Sequence, residues 1–154
     1  MLSDELETRY KEVVIPINEE ILTEIRIRTK YEHLRLAEFI EGLGRSLGFT
    51  VKREFEDGNV RIDVVWMKRR RVKAVFEIVT RPYKYMLTNA INNLIYAHKK
   101  WKCNLFLVTP KIIDLYSSIK RKVIFILKNQ YPELIKHIRI ISELNLKNRL
   151  RTLR

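Results

Sequence analysis

The stretch Val60-Arg61-Ile62-Asp63-Val64-Val65-Trp66, followed after a basic turn by Val72-Lys73-Ala74-Val75-Phe76-Glu77-Ile78-Val79-Thr80, decides how the rest of the chain is arranged. Both runs are rich in β-branched and aromatic residues and each carries one acid among apolar neighbours, so they read as two strands of a hairpin. Side chains alternate across a strand. Val60, Ile62, Val64 and Trp66 therefore fall on one face, Val72, Ala74, Phe76 and Ile78 on one face of the next strand, and the two faces are expected to coincide. The opposite face then collects Arg61, Asp63 and Val65 with Lys73, Val75, Glu77 and Val79, which makes the two acids neighbours across the hairpin. Like charges that close are destabilising unless something positive lies between them, either a lysine or arginine or a divalent cation.

On the N-terminal side, Phe49 to Glu56 alternates as a further strand, and Asp57-Gly58-Asn59 supplies the turn into the hairpin. Before it, Leu36, Ile40, Leu43 and Leu47 recur at helical spacing as a buried stripe that Gly48 closes. The helix begins at Asn18 as N-cap, with Glu19 and Glu20 suited to the helix dipole, and runs to Leu47 as one helix or as two with a break near Thr29 to Tyr31. A neighbouring face carries Leu34, Glu38, Glu41 and Arg45, which reads as a solvent-facing ion-pair ladder; the alternative is that one glutamate reaches the hairpin acids. Val13-Val14-Ile15-Pro16-Ile17 reads as an extra edge strand, since Pro16 does not fit a central one.

On the C-terminal side, Lys68-Arg69-Arg70-Arg71 is a run of cations at the hairpin turn, either a solvated turn or a loop that contacts phosphates. Pro82 stops the second strand of the pair. A helix then runs to about Lys100, with Met86 or Leu87, Ala90, Leu94 and Ala97 on its apolar side and Asn89, Asn92, Asn93, His98 and Lys99 on its polar side. His98 is expected in solvent, and neither it nor His33 nor His137 has a partner at ligand spacing. Leu105 to Val108 reads as a strand buried on both faces and paired in parallel. Thr109-Pro110 predicts a helix start, N-cap and N1, for a helix running toward Tyr131-Pro132. Ile138 to Ile141 reads as a last strand, and Leu146 to Arg154 as a basic tail.

The order helix, three strands, helix, strand, helix, strand predicts an α/β fold, a single-domain α/β sandwich with a mixed central sheet and helices on both faces. Three segments follow: an N-terminal extension of short strand and helix over 1–30, the α/β domain over 31–142, and the basic tail over 143–154.

The chain has 154 residues, 46% of them hydrophobic, with four glycines and four prolines, which suits one well-cored domain and not a disordered or linker-rich protein. No apolar run approaches the roughly 18 residues of a membrane span, and the acidic start does not resemble a signal peptide, so an intracellular, cytoplasmic protein with no membrane partner is expected. The single Cys103 excludes an internal disulfide and reads as a small buried hydrophobe. A net charge of +13 favours a polyanionic partner, with nucleic acid the commonest. One glutamine, Gln130, in so charged a chain points to a thermophilic source.

The helix with Glu38, then Leu47-Gly48-Phe49-Thr50-Val51, Arg61-Ile62-Asp63-Val64-Val65, Val75-Phe76-Glu77-Ile78-Val79, a further helix and Leu105 to Val108 together resemble the PD-(D/E)xK nuclease superfamily. This is the restriction-endonuclease-like fold that also includes archaeal Holliday-junction resolvases. The resemblance spans roughly residues 31–110 and rests on the order of elements more than on any one residue. It implies Mg²⁺ or Mn²⁺ held by Asp63 and Glu77, with Glu38 completing the shell and Glu32 and Glu41 as alternatives in register. It also implies a metal-dependent endonuclease acting on DNA, with a homodimer as the default for an enzyme that cuts both strands. The family's lysine, two residues beyond the second acid, is Val79 here, and the proline before the first acid is Ile62. Lys73, Arg81 and Lys84 are the nearby cations; Lys73 is poorly placed back along the strand, so Lys84 is the expected stand-in, and Lys84 and Arg81 are also expected to contact nucleic acid along with Lys68, Arg69, Arg70 and Arg71. The competing expectation is a nuclease-like fold without catalysis that serves as a nucleic-acid-binding subunit.

Overall fold

A computed structural model describes residues 18–149. The expected Val13 to Ile17 strand and residues 150–154 of the basic tail lie outside the described residues.

Helix α1 (Glu19–Ser46) is one continuous helix of 28 residues, so no break forms at Thr29 to Tyr31 and residue 30 lies inside it. Its first turn is closed by Asn18, whose side-chain oxygen accepts from the Ile21 N–H at 3.0 Å. Leu36, Ala37 and Ile40 are buried against the sheet. Gly44 lets the helix approach closely, because a Cβ there would stand 2.5 Å from Trp66 Nε1. Gly48, at φ +90°, ends the turn in a backbone conformation that a side chain disfavours.

Five strands follow, β1 (Thr50–Asp57), β2 (Val60–Lys68), β3 (Arg71–Ile78), β4 (Asn104–Thr109) and β5 (Ile138–Ser142), arranged in that order across one sheet. The first three pair antiparallel as a meander, while β4 and β5 run parallel to β3. The parallel part is reached through α2 (Lys84–Trp101) and α3 (Ile113–Gln130), and a short 3₁₀ turn (Pro132–Leu134) leads into β5. A last short helix, α4 (Glu143–Arg149), follows directly. The protein is thus an α/β domain with a mixed five-stranded sheet and, among the described residues, four α-helices. No helix among them is long and apolar enough to cross a membrane.

Helices α2 and α3 cover one face of the sheet, and α1 and α4 cover the other. Under α1 the rings of Phe49, Trp66, Phe76 and Phe106 form a row across the sheet, with successive centroids 5.1, 4.6 and 4.9 Å apart. Leu105 and Leu107 face α2 and α3 while Phe106 and Val108 face α1, all four buried, as a doubly covered parallel strand requires. Residues 143–149, assigned by sequence to the tail, fold because Leu146 enters the α1-side core and Glu143 forms a two-pronged ion pair with Arg35 at 2.5 and 2.9 Å.

Two sequence expectations need correction. Thr109 is not an N-cap: it is the buried last residue of β4, and α3 starts only at Ile113 after Pro110 has ended the strand. The simple alternation of the hairpin also fails at both of its ends. Val64, Trp66, Ala74, Phe76 and Ile78 do share the α1 face, but Ile62, Val60 and Val72 pack on the opposite one. The first reversal coincides with Glu54, which faces Asp63 in the β1–β2 register and has φ +49°. The second comes from a β-bulge, since Trp66 pairs with Ala74 but Met67 with Val72, leaving Lys73 as the extra residue.

Candidate functional site

The β2–β3 ladder pairs Trp66 with Ala74, Val65 with Val75 and Val64 with Phe76. One more step brings Asp63 opposite Glu77, and there the backbone ladder gives way to side chains. The Asp63 N–H donates to Glu77 Oε2 at 2.9 Å, and the Ile78 N–H donates to Asp63 Oδ2 at 2.8 Å. Each carboxylate therefore takes over a backbone donor of the other strand, which keeps both donors satisfied where the strands part. The kink at Glu54 opens the fork from the β1 side.

Glu77 is only 3% exposed. Its Oε1 accepts from Asn93 Nδ2 at 2.7 Å, and the same amide donates to the Arg61 carbonyl at 3.1 Å. Burial, and after it the charge of Asp63, pushes the Glu77 carboxyl well above the ordinary glutamate value. Asp63 is more open, with 24% of its side chain exposed, and its Oδ1 lies 3.2 Å from His33 Nε2. The hydrogen bond to Asp63 raises the His33 pKa against the opposing effect of burial. The basic side chain in contact with the acids, among the described residues, is thus a histidine on α1.

His33 and Asn93 are the two residues that sequence reasoning missed. His33 lies three residues before Leu36 and seven before Ile40, in line with the buried stripe of α1. Asn93 lies between Ala90 and Ala97 on the buried side of α2, and not on its polar side as expected. A polar residue in line with an apolar stripe was the available signal. His98 also departs from expectation: it is half-buried, its ring centroid is 4.5 Å from that of His137, and its Nδ1 is buried without a hydrogen-bond partner.

The other expected site residues are distributed more widely. Glu32 pairs with Arg81 at 3.0 Å, and Arg81 also donates to the Thr80 carbonyl at 2.8 Å. Glu41 pairs with Arg45 at 3.3 Å, as in the ladder reading, and also with Arg53 of β1 at 3.7 Å. Glu38 is exposed, and among the described residues no three acidic, histidine or cysteine side chains group so as to hold a metal. Lys84 is exposed at the first position of α2. Val79, where the resemblance implied a lysine, is 1% exposed in the core beneath α2 and α3. Lys68 and Arg71 pair across the far end of the hairpin, with Arg69 and Arg70 as its turn. This is about 13–20 Å from Glu77 by strand rise. Cys103 is half-buried, and its thiol is pushed up to about 11 by that burial.

Asp63 and Glu77 together offer hard oxygen donors, and each of their four oxygens has one hydrogen-bond partner and so keeps a lone-pair direction. That donor set suits Mg²⁺, which is commonly held by one or two carboxylates and keeps several waters; it does not form an all-protein cage. Comparison with protein-family models, with curated proteins and with solved structures returns no match to this chain.

Proposed function

We propose that this protein is a divalent-metal-dependent phosphodiester hydrolase acting on DNA, with Asp63 and Glu77 as metal ligands. The observation that carries this reading is the opposed pair at the β2–β3 fork, where a 3%-exposed glutamate sits against a second acid. Burying a carboxyl beside a like charge is unfavourable, and His33 is the one basic side chain in contact with the pair among the described residues. A divalent cation at the fork would relieve that repulsion; bound there, it polarises a phosphodiester and lowers the pKa of water.

The protein's own side chains hold the pair ready. Asn93 fixes Oε1 of Glu77, the Asp63 N–H fixes Oε2, and His33 holds Oδ1 of Asp63. Arg81 is steadied by Glu32 at the strand exit, and Lys84 stands exposed at the start of α2, the two cations offered here for contacts to phosphate. A second reading, nucleic-acid binding without hydrolysis, is favoured by Val79, which leaves the family's lysine position apolar and buried.

The test is cleavage of supercoiled and branched DNA with Mg²⁺ or Mn²⁺, together with calorimetric titration of Mn²⁺ in two buffers of different ionisation enthalpy. Metal-dependent cleavage lost in Asp63→Asn, and Mn²⁺ binding that releases a proton from Glu77, are expected. DNA binding without cleavage or metal uptake would leave the second reading standing, and cleavage that survives Asp63→Asn would place the chemistry elsewhere.

A further inference from the structure

At the other end of the hairpin from the acids, an open cleft of about 820 Å³ lies along the N-terminal ends of β3 and β4 and the approach to β5. Seven lysines and arginines line it, Lys100 and six others: Arg70, Arg71, Lys73, Lys102, Lys136 and Arg139. All six are exposed, and none of them forms an ion pair among the described residues. The one acid in the lining, Asp57, is already engaged by Lys100 and by the Tyr96 hydroxyl. Several arginines elsewhere are paired with acids, as in Arg35–Glu143, Arg61–Glu54 and Arg81–Glu32. In the cleft, six basic side chains without an acid partner share one concavity, where they repel one another unless an anion is present.

The backbone around the cleft departs from local preference three times, at Lys102 with φ +50° and twice in the hairpin, and each departure brings in a cation. Arg69 and Arg70, at φ +52° and +65°, form the two-residue turn between the paired Lys68 and Arg71. Two consecutive positive φ values are the type I′ arrangement, for which Asn-Gly is the favoured sequence, and each left-handed side-chain-bearing residue costs roughly 1–2 kcal/mol. Two residues on, the bulge leaves Lys73 as the unpaired residue of β3 in the cleft lining. A turn required only to join two strands gains nothing from this.

We propose that this cleft is a docking site for the sugar-phosphate backbone of a nucleic acid, separate from the fork and independent of metal. A polymer is favoured over a small anion because the charge continues past the cleft: Lys68 and Arg69, with the shared Arg71 and Lys73, border a second hollow of about 580 Å³. The row of cations is longer than one phosphate can occupy, whereas a backbone presents phosphates in succession. The inference rests on charge and backbone geometry and not on the hydrolytic reading.

The test is fluorescence anisotropy of a labelled DNA duplex with the full chain in EDTA across a salt series, which leaves metal chemistry out of the measurement. In Lys102→Gln/Lys136→Gln the slope of log K against log salt should fall by about 1.8, with affinity at 0.1 M salt down on the order of tenfold per cation removed. Arg69→Asn/Arg70→Gly restores the sequence the turn prefers, so it should raise the melting temperature while weakening binding, an outcome that misfolding cannot produce. Unchanged affinity and slope in both variants would overturn the proposal. So would inorganic tripolyphosphate binding as tightly as the duplex, since the cleft would then be a small-anion site.

Discussion

Replacing Glu77 with glutamine keeps the side chain's size and removes a buried ionisable group. Glu77 is 3% exposed, and burial and the charge of Asp63 raise its pKa well above the ordinary 4.5. In the folded protein the proton is therefore held more tightly than in the unfolded chain. The stability this contributes is fully present below pH 4.5 and is lost as the pH rises through the folded-state pKa, with a slope of up to about 1.4 kcal/mol per pH unit. Glu77→Gln lacks that slope. It has its own constant cost, because an amide has one acceptor oxygen where the carboxylate has two. Either the Asp63 N–H, now 2.9 Å from Oε2, or Asn93 Nδ2, now 2.7 Å from Oε1, must face an NH₂ group, a loss of about 1–3 kcal/mol. The variant should be the less stable protein at pH 4.5, and the gap should narrow as the pH rises. Urea unfolding followed by circular dichroism from pH 4.5 to 8 measures both curves. His33, raised by its bond to Asp63, titrates in both proteins and largely cancels in the difference. Curves that run parallel over the whole range would mean that Glu77 titrates as an ordinary glutamate, and the account of the fork as a strained acid pair would be wrong.

Gly44→Ala gains helix propensity but places a methyl 2.5 Å from Trp66 Nε1 and 2.8 Å from Val51 Cγ2, so a net loss of about 1–2 kcal/mol in urea unfolding is expected. Asn93→Leu removes the donor to both Glu77 and the Arg61 carbonyl; thermal melts should show a loss of about 2–3 kcal/mol. His98 has its pKa lowered by burial, then by His137 and Lys102, so its stability contribution is present above pH 6.5 and is lost as the pH falls below that value; His98→Gln should flatten the decline in melting temperature between pH 7 and 5.

The meander and the buried parallel strand were legible because each follows from a period in the sequence. Val64, Trp66, Ala74, Phe76 and Ile78 share a face as alternation requires, and Leu105 to Val108 is covered on both sides as a continuous apolar run requires. The acid pair was legible for the same reason, since register alone brings Asp63 opposite Glu77. What alternation cannot contain is a change of its own phase. Glu54 in the left-handed region and the bulge at Lys73 each reverse the faces, and neither residue type announces it. The partners of the acids were hidden differently. His33 and Asn93 come from helices on opposite faces of the sheet, so nothing in the sequence near Asp63 or Glu77 names them. The start of α3 was misplaced because Thr-Pro satisfies a local rule for helix initiation, while β4 needed Thr109 for a buried pairing with Ser142.

Val79 connects these observations. Its N–H donates to the Val108 carbonyl at 2.9 Å and its side chain is enclosed by the core beneath α2 and α3, so a lysine there would have to bury its ammonium or displace the helices. Among the described residues the fork therefore has no lysine in contact with it; the basic side chain there is His33, with Arg81 tied to Glu32 at the strand exit. Seven of the chain's 31 lysines and arginines line the cleft at the far end of β3 instead. Helix α2 joins the two regions, for Asn93 at its middle holds Glu77 and Lys102 at its C-cap lines the basic cleft. Separating the acids from the cations along one strand has a physical advantage. On the proposed docking of a phosphate backbone in the cleft, the backbone would gain its affinity some 13–20 Å from Glu77 by strand rise, where it would not have to neutralise the carboxylates first.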